Sequence, residues 1–127
     1  MSLIGRIFRR EALTRKRGAA AEDLAAAYLR ARGVDILARN YRIKGGEIDL
    51  VGQLGEMLLF VEVRLRSRAD FGGAAASVTR AKQRRLRLAA SHYLQRHGER
   101  PCRFDCVLMD GLDPARIEWL RDAFSAD

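Results

Sequence analysis

Two acidic residues stand inside apolar, β-branched runs: Asp49 in Gly46-Glu47-Ile48-Asp49-Leu50-Val51 and Glu62 in Leu59-Phe60-Val61-Glu62-Val63-Arg64. A carboxylate in such surroundings shifts its pKa, meets a positive partner or binds a metal. Residues two apart in a strand share a face, which aligns Glu47 with Asp49 and Glu62 with Arg64. A hairpin closing around residues 53–56 brings Asp49 level with Glu62 to within a residue or two. Two converging carboxylates repel, and a divalent cation, Mg²⁺ or Mn²⁺, relieves that repulsion. Mg²⁺ accepts one or two protein carboxylates and keeps several waters, and a backbone carbonyl such as that of Val63 can add a ligand. Such a centre suits phosphodiester cleavage, where the metal polarises the phosphoryl oxygen and helps form hydroxide. Arg64 is placed to stabilise charge developing on phosphorus. Glu22, from a preceding helix, can supply a further contact or a second metal site. The competing reading is an ion-pair network, with Glu47 on Lys44 and Glu62 on Arg64 or Arg42, because structural ion pairs perturb carboxylates too.

The elements that must hold these residues are legible from periodicity. Ala19 to Arg32 is Ala- and Leu-rich, carries an apolar stripe at Leu24, Ala25, Tyr28 and Leu29, and stops at Gly33. Glu22 falls at the border of that stripe. Val34 to Ile43, Glu47 to Gly52 and Met57 to Leu65 read as three antiparallel strands, with Lys44-Gly45-Gly46 and Gln53-Leu54-Gly55-Glu56 as turns. Thr79 caps a second helix running to about His97, with Gly98 after it and a stripe at Leu86, Ala89, Ala90, Tyr93 and Leu94. Cys102 to Met109 and Arg116 to Leu120 complete the chain as strands. The order is helix, three strands, helix, two strands. Residues 1–17 form a basic tail ahead of a domain spanning 18–127.

Composition narrows the partners. The chain has 127 residues, nearly half hydrophobic, enough for one domain with its own core. Its net charge is +8, and such a balance favours an anionic partner, nucleic acid first. Two cysteines, Cys102 and Cys106, are too few for a disulfide framework or a four-ligand zinc site, and read as core or strand residues. No apolar run approaches the roughly 18 residues of a membrane span, and no signal-peptide core follows the basic N-terminus. The expected location is the cytoplasm, with no membrane partner. Neither His92 nor His97 has a nucleophile at telling spacing. Trp119, Phe60 and Phe104 are core candidates, and Gly72-Gly73 lacks the spacing of a phosphate loop.

A basic run follows the acidic strand. Between Arg64 and Arg103 there are eleven Arg or Lys residues against Asp70 and Glu99. Arg66 and Arg68 follow the acidic strand directly, and Arg80, Lys82, Gln83 and Arg84 open the second helix, whose N–H groups also favour phosphate. These are the candidate nucleic-acid contacts, with DNA the expected partner. About six phosphate contacts give a salt slope near −5 in log affinity against log salt.

The succession Gly18…Glu22…Ala25…Leu29…Gly33, Arg39-Asn40-Tyr41-Arg42, Gly46-Glu47-Ile48-Asp49-Leu50, Phe60-Val61-Glu62-Val63-Arg64-Leu65-Arg66 and Val78-Thr79-Arg80-Ala81-Lys82-Gln83 resembles the YraN-like family of uncharacterised bacterial proteins. The resemblance runs from about Gly18 to Phe124. It implies an α/β, restriction-endonuclease-like fold akin to Holliday-junction resolvases, with an αβββαβ core and a central mixed sheet flanked by helices. It implies a helix glutamate at Glu22, a strand aspartate at Asp49, and a Glu-x-Lys pair at Glu62 and position 64. Position 64 is Arg here, which keeps its charge and cannot accept a proton. Resolvases of this fold often act as dimers, so a homodimer is compatible with the resemblance. Three functions stay open: a metal-dependent nuclease, a non-catalytic nucleic-acid-binding protein of the same fold, and an interaction protein whose acids form salt bridges.

Overall fold

The computed structural model describes residues 18–66 and 78–125. The basic tail 1–17, and Arg68 with the rest of 67–77, lie outside the described residues. Helix α1 covers residues 18–30 and ends in a turn at 31–33, where Gly33 takes φ +91°. Strands β1 (Asp35–Ile43), β2 (Gly46–Leu54) and β3 (Met57–Arg66) follow. Helix α2 (Arg80–His97), β4 (Cys102–Asp110), a short 3₁₀ turn (Pro114–Arg116) and β5 (Ile117–Phe124) complete the order. Thr79 caps α2 by accepting from the Lys82 N–H at 3.2 Å, and Gly98 ends it by donating to Leu94 O.

The five strands form one sheet in chain order, antiparallel except for the parallel pair β3–β4. A parallel neighbour needs a crossover, and α2 supplies it. The expected αβββαβ core with a mixed sheet flanked by helices is therefore present. One core cluster joins Ala21, Ala25, Ala26 and Leu29 of α1 to Leu50, Leu59, Val61, Val107 and Met109. The other joins Leu86, Ala89, Ala90 and Tyr93 of α2 to Ile48, Phe60, Phe104, Cys106 and Leu108. The residues that read as helical stripes in the sequence are those that seal the two faces of the sheet.

Several boundaries differ from the sequence reading. The β2–β3 turn is shorter: Gln53 pairs with Leu58 and Leu54 with Met57, leaving Gly55-Glu56 as a two-residue turn with Gly55 at φ +59°. Gly46 belongs to β2, where it pairs with Ile43. A Cβ there would lie 2.9 Å from both Ala89 N and Arg85 O, so a side-chain-free residue lets α2 rest on the strand backbone. Strand β5 runs on to Phe124 because buried Asp105 holds it. Arg103 makes a two-point ion pair with Asp105, and Trp119 Nε1 and the Asp122 N–H each donate to it at 2.9 Å. Phe124 then stacks on Phe104 with centroids 4.8 Å apart.

The two non-glycine residues with left-handed backbone among those described are Asn40 (φ 52°) and Asp122 (φ 53°). They sit on β1 and β5, the two edges of the sheet. Asn and Asp tolerate this conformation better than other side chains.

Candidate metal and phosphate site

Asp49 sits where β2 changes faces. Ile48 packs into the α2-side cluster and Leu50 into the α1-side cluster, although they are two residues apart. Strict alternation therefore does not run through 47–51, and the sequence-level placement of Glu47 and Asp49 on one face does not carry across this point. The β2–β3 ladder runs from Leu54↔Met57 to Leu50↔Val61 and goes no further. On the other side, Asn40 and Asp49 fall between the pairs Arg39↔Leu50 and Tyr41↔Ile48. In the resulting gap the Asp49 side chain replaces a backbone acceptor: Val63 N–H donates to Asp49 Oδ2 at 2.8 Å. Within a strand a residue's carbonyl points to the same side as its N–H, so the Val63 carbonyl opens on this gap too.

Glu62 faces Asp49 across the hairpin, close enough for its negative charge to act on the Asp49 carboxyl. Asp49 is 9 % exposed. Burial first, and then the negative charge of Glu62, push its pKa from 3.8 up to about 8, against the opposing pull of the Val63 N–H. Glu62 is also raised, chiefly by burial, while Lys82 favours its charged form. Around neutral pH such a pair holds a proton or calls for a cation. Glu22 is near enough to add to the Asp49 shift. It is held by Asn40 Nδ2 at 3.0 Å and by Arg39 at 3.7 Å, the latter also pairing with Asp23 at 2.7 Å. The structure thus brings Glu22, Asp49 and Glu62 together. Among the described residues no group of three or more His, Cys, Asp or Glu side chains has metal-holding geometry. The donor set that fits a divalent ion is the Asp49–Glu62 pair completed by water and backbone oxygen, as Mg²⁺ accepts.

The ion pairs differ from those expected of these acids. Glu62 pairs with Lys82 of α2 at 3.6 Å, and Glu47 with Arg42 at 3.7 Å and Arg85 at 3.8 Å. Lys44, Arg42 and Arg64 were the partners their sequence proximity offered. Arg64 does share the α2-facing side of β3 with Phe60 and Glu62, but its Nε is buried and has no hydrogen-bond partner among the described residues. An open pocket lies on the Glu62 side of the pair, lined by Glu47, Glu62, Lys82, Arg85 and Leu86. It opens where β3 ends and α2 begins, the carboxyl edge at which α/β sheets commonly take ligands.

The remaining candidates distribute as follows. Arg80 and Arg84 are exposed on the first two turns of α2. Gln83 is engaged internally: its amide donates to Val78 O and accepts from Arg87. Arg66 ends β3. His92 is taken up by Tyr41, whose hydroxyl lies 2.6 Å from Nδ1, and Tyr41 packs edge-on to Tyr93. Cys106 lies under Glu62 in the parallel register. Burial and the nearby Glu62 and Asp49 charges push its thiol up to about 12, so it is no nucleophile. Lys82 as the partner of Glu62, and Asn40 as the partner of Glu22, were not assigned these places from sequence. The Thr79 cap was the available signal for Lys82, since it puts that residue in the first helical turn beside the carboxyl end of β3.

Comparison with known proteins bears on this arrangement. A model of the "Uncharacterised protein family UPF0102" matches residues 21–109, which span Glu22, Asp49, Glu62, Arg64 and Lys82. The chain belongs to the UPF0102 family. A UPF0102 protein of Methylobacillus flagellatus is 57% identical over 106 residues, covering 84% of this chain and 94% of the relative. One from Dechloromonas aromatica is 55% identical over 114 residues, covering 90% and 92%. One from Cupriavidus taiwanensis is 58% identical over 113 residues, covering 87% and 84%. Membership in UPF0102 agrees with the YraN-like resemblance of the motifs. No helix among the described residues is long and apolar enough to cross a membrane.

Proposed function

We propose that this UPF0102 chain is a divalent-metal-dependent nuclease acting on DNA, with Asp49 and Glu62 as the metal-holding pair. The observation that carries the reading is buried Asp49 lying close enough to Glu62 to feel its charge, with Glu62 lining a pocket that Lys82 and Arg85 share. Two carboxyls kept this close and this dry are costly for a fold unless a cation uses them. Bound there, Mg²⁺ or Mn²⁺ would polarise a phosphodiester and lower the pKa of an attacking water. Asp49 is oriented by the Val63 N–H, and Glu62 reaches the same point from the facing strand. Glu22, fixed by Asn40, adds its negative charge near Asp49, where it would assist the metal. Arg64 supplies a permanent cation on the strand face that carries Glu62. Arg80 and Arg84 on α2, with Arg66 and Arg68 as further candidates, would contact the phosphate backbone.

A second reading has one observation in its favour. Glu62 and Glu47 already have cationic partners in Lys82, Arg42 and Arg85, which leaves room for a protein that keeps the fold without cutting, either binding nucleic acid or holding its acids in structural salt bridges. Cleavage of duplex, single-stranded and four-way-junction DNA with Mg²⁺, Mn²⁺ or EDTA separates the two. Metal-dependent cutting that disappears in Asp49→Ala and Glu62→Ala supports the nuclease. Salt-sensitive binding with no cutting in wild type or Arg64→Lys supports the binding protein, and absence of binding at low salt refutes both the nuclease and the binding protein.

A further inference from the structure

Lys82 has a place that neither charge pattern nor family membership assigns. The Thr79 cap fixes its backbone in the first turn of α2. From there Nζ reaches 3.6 Å from Glu62 Oε1, while the side chain stays 40 % exposed on the pocket wall. Arg64, the cation on the Glu62 strand face, has its Nε buried with no hydrogen-bond partner among the described residues, and its planar fork cannot pivot as an ammonium can. Lys82 is thus the part-exposed positive group that reaches Glu62 from the helix packed on its strand. Arg85 lines the same pocket one turn further along α2 but pairs with Glu47, at 3.8 Å.

We infer that Lys82 is a working component of the centre: its ammonium is the resident counter-ion of Glu62 and, with substrate in the pocket, a donor to the phosphate oxygen next to the reacting bond. This rests on the metal-dependent reading of the Asp49–Glu62 pair. It departs from the view of Lys82 as one more contact along the DNA backbone, because a backbone contact would stand clear of the carboxylates. A cation at this distance has two opposed effects. It repels a divalent ion arriving at Glu62, and it stabilises negative charge that builds on the phosphate.

Those opposed effects make the test. Mn²⁺ affinity is measured by calorimetry on the full chain, and cleavage of the best DNA substrate by steady-state kinetics, for wild type, Lys82→Met, Lys82→Arg and Asp49→Asn. Lys82→Met keeps the stem and the helix cap, so it should fold. It should bind Mn²⁺ about 3- to 10-fold more tightly and lower kcat by roughly 100-fold, with KM for DNA changed less than about threefold. Lys82→Arg should recover at least about tenfold of the lost kcat. Unchanged or weaker Mn²⁺ binding in Lys82→Met overturns the proposal, as does a KM rise with kcat intact, which is the signature of a simple backbone contact. If wild type binds Mn²⁺ through Asp49 but cuts no DNA, the affinity comparison decides alone. If wild type binds no Mn²⁺, the reading of the carboxylate pair fails and this inference falls with it. A wild type that binds and cuts while Lys82→Met does both unchanged sinks this inference only.

Discussion

Replacing Asp49 by Asn should make the protein more stable while removing its metal affinity. Folded Asp49 keeps its proton to about pH 8, against 3.8 ordinarily. The folded state therefore binds more protons than the unfolded one between those values. Stability falls as pH rises through that window and levels off above it. At 1.36 kcal/mol per pKa unit the full cost of the buried charge is about 5–6 kcal/mol above pH 8. A proton on either carboxyl relieves the same repulsion, so removing the Asp49 charge alone should return about 2–4 kcal/mol at pH 8. Asn is the right probe. Its carbonyl can still accept from Val63 N–H, and its amide can donate to Glu62 as a protonated Asp49 would. Urea denaturation from pH 5 to 9 should show wild type losing stability with rising pH and Asp49→Asn much less so. The variant's Tm at pH 8 should lie about 8–15 °C higher. Adding 10 mM Mg²⁺ at pH 8 should raise the wild-type Tm and leave the variant's unmoved. Parallel pH profiles, or a variant less stable than wild type at pH 8, would refute the reasoning that Asp49 is a strained, ligand-seeking carboxyl.

Other substitutions test the scaffold and the site separately. Asp105→Ala should cost about 3–5 kcal/mol in chemical denaturation, because it strands Arg103 and frees Trp119 and the Asp122 N–H together. Gly46→Ala should destabilise by about 1–3 kcal/mol and lower any cleavage rate, since its Cβ would push α2, and Lys82 with it, off the sheet; a neutral outcome in both assays would contradict the close contact. Asn40→Ala should cost about 1–2 kcal/mol from the left-handed backbone and the lost bond to Glu22, whereas Asn40→Gly should retain most of the stability and still lose the Glu22 contact. DNA binding, measured by anisotropy between 50 and 200 mM salt, should follow a slope near −5 in wild type and about one unit less in Arg84→Ala.

The helices, the strand order and the Asp49–Glu62 encounter were legible because each rests on a short-range rule. Leu86, Ala89, Ala90 and Tyr93 repeat at helical spacing and are buried. The hairpin between Asp49 and Glu62 is closed by a glycine turn, which fixes the register. Residues brought together across layers were less legible. Nothing local marks Lys82 as the partner of Glu62, since that contact depends on how α2 seats on the sheet. Asn40 was visible only as part of a motif, because its role follows from a break in the ladder that alternating polarity does not encode. The length of β5 was missed for a similar reason. Arg121 and Asp122 look like the end of a strand, yet Asp105, two layers of sequence away, draws the Asp122 backbone in and lets Phe124 reach Phe104.

The left-handed residues Asn40 and Asp122 have a consequence for how copies of this molecule can meet. Each lies on a border strand whose outer hydrogen-bonding groups would otherwise invite another strand alongside. A backbone that turns out of the extended form there interrupts that invitation, and exposed Arg121 beside Asp122 adds charge at the β5 border. Sheet-to-sheet fusion of two molecules is therefore disfavoured at both borders. A two-fold assembly would then use the helical layers or the rim of the pocket, which would set the two Asp49–Glu62 pairs at a separation governed by helix packing, not by strand spacing.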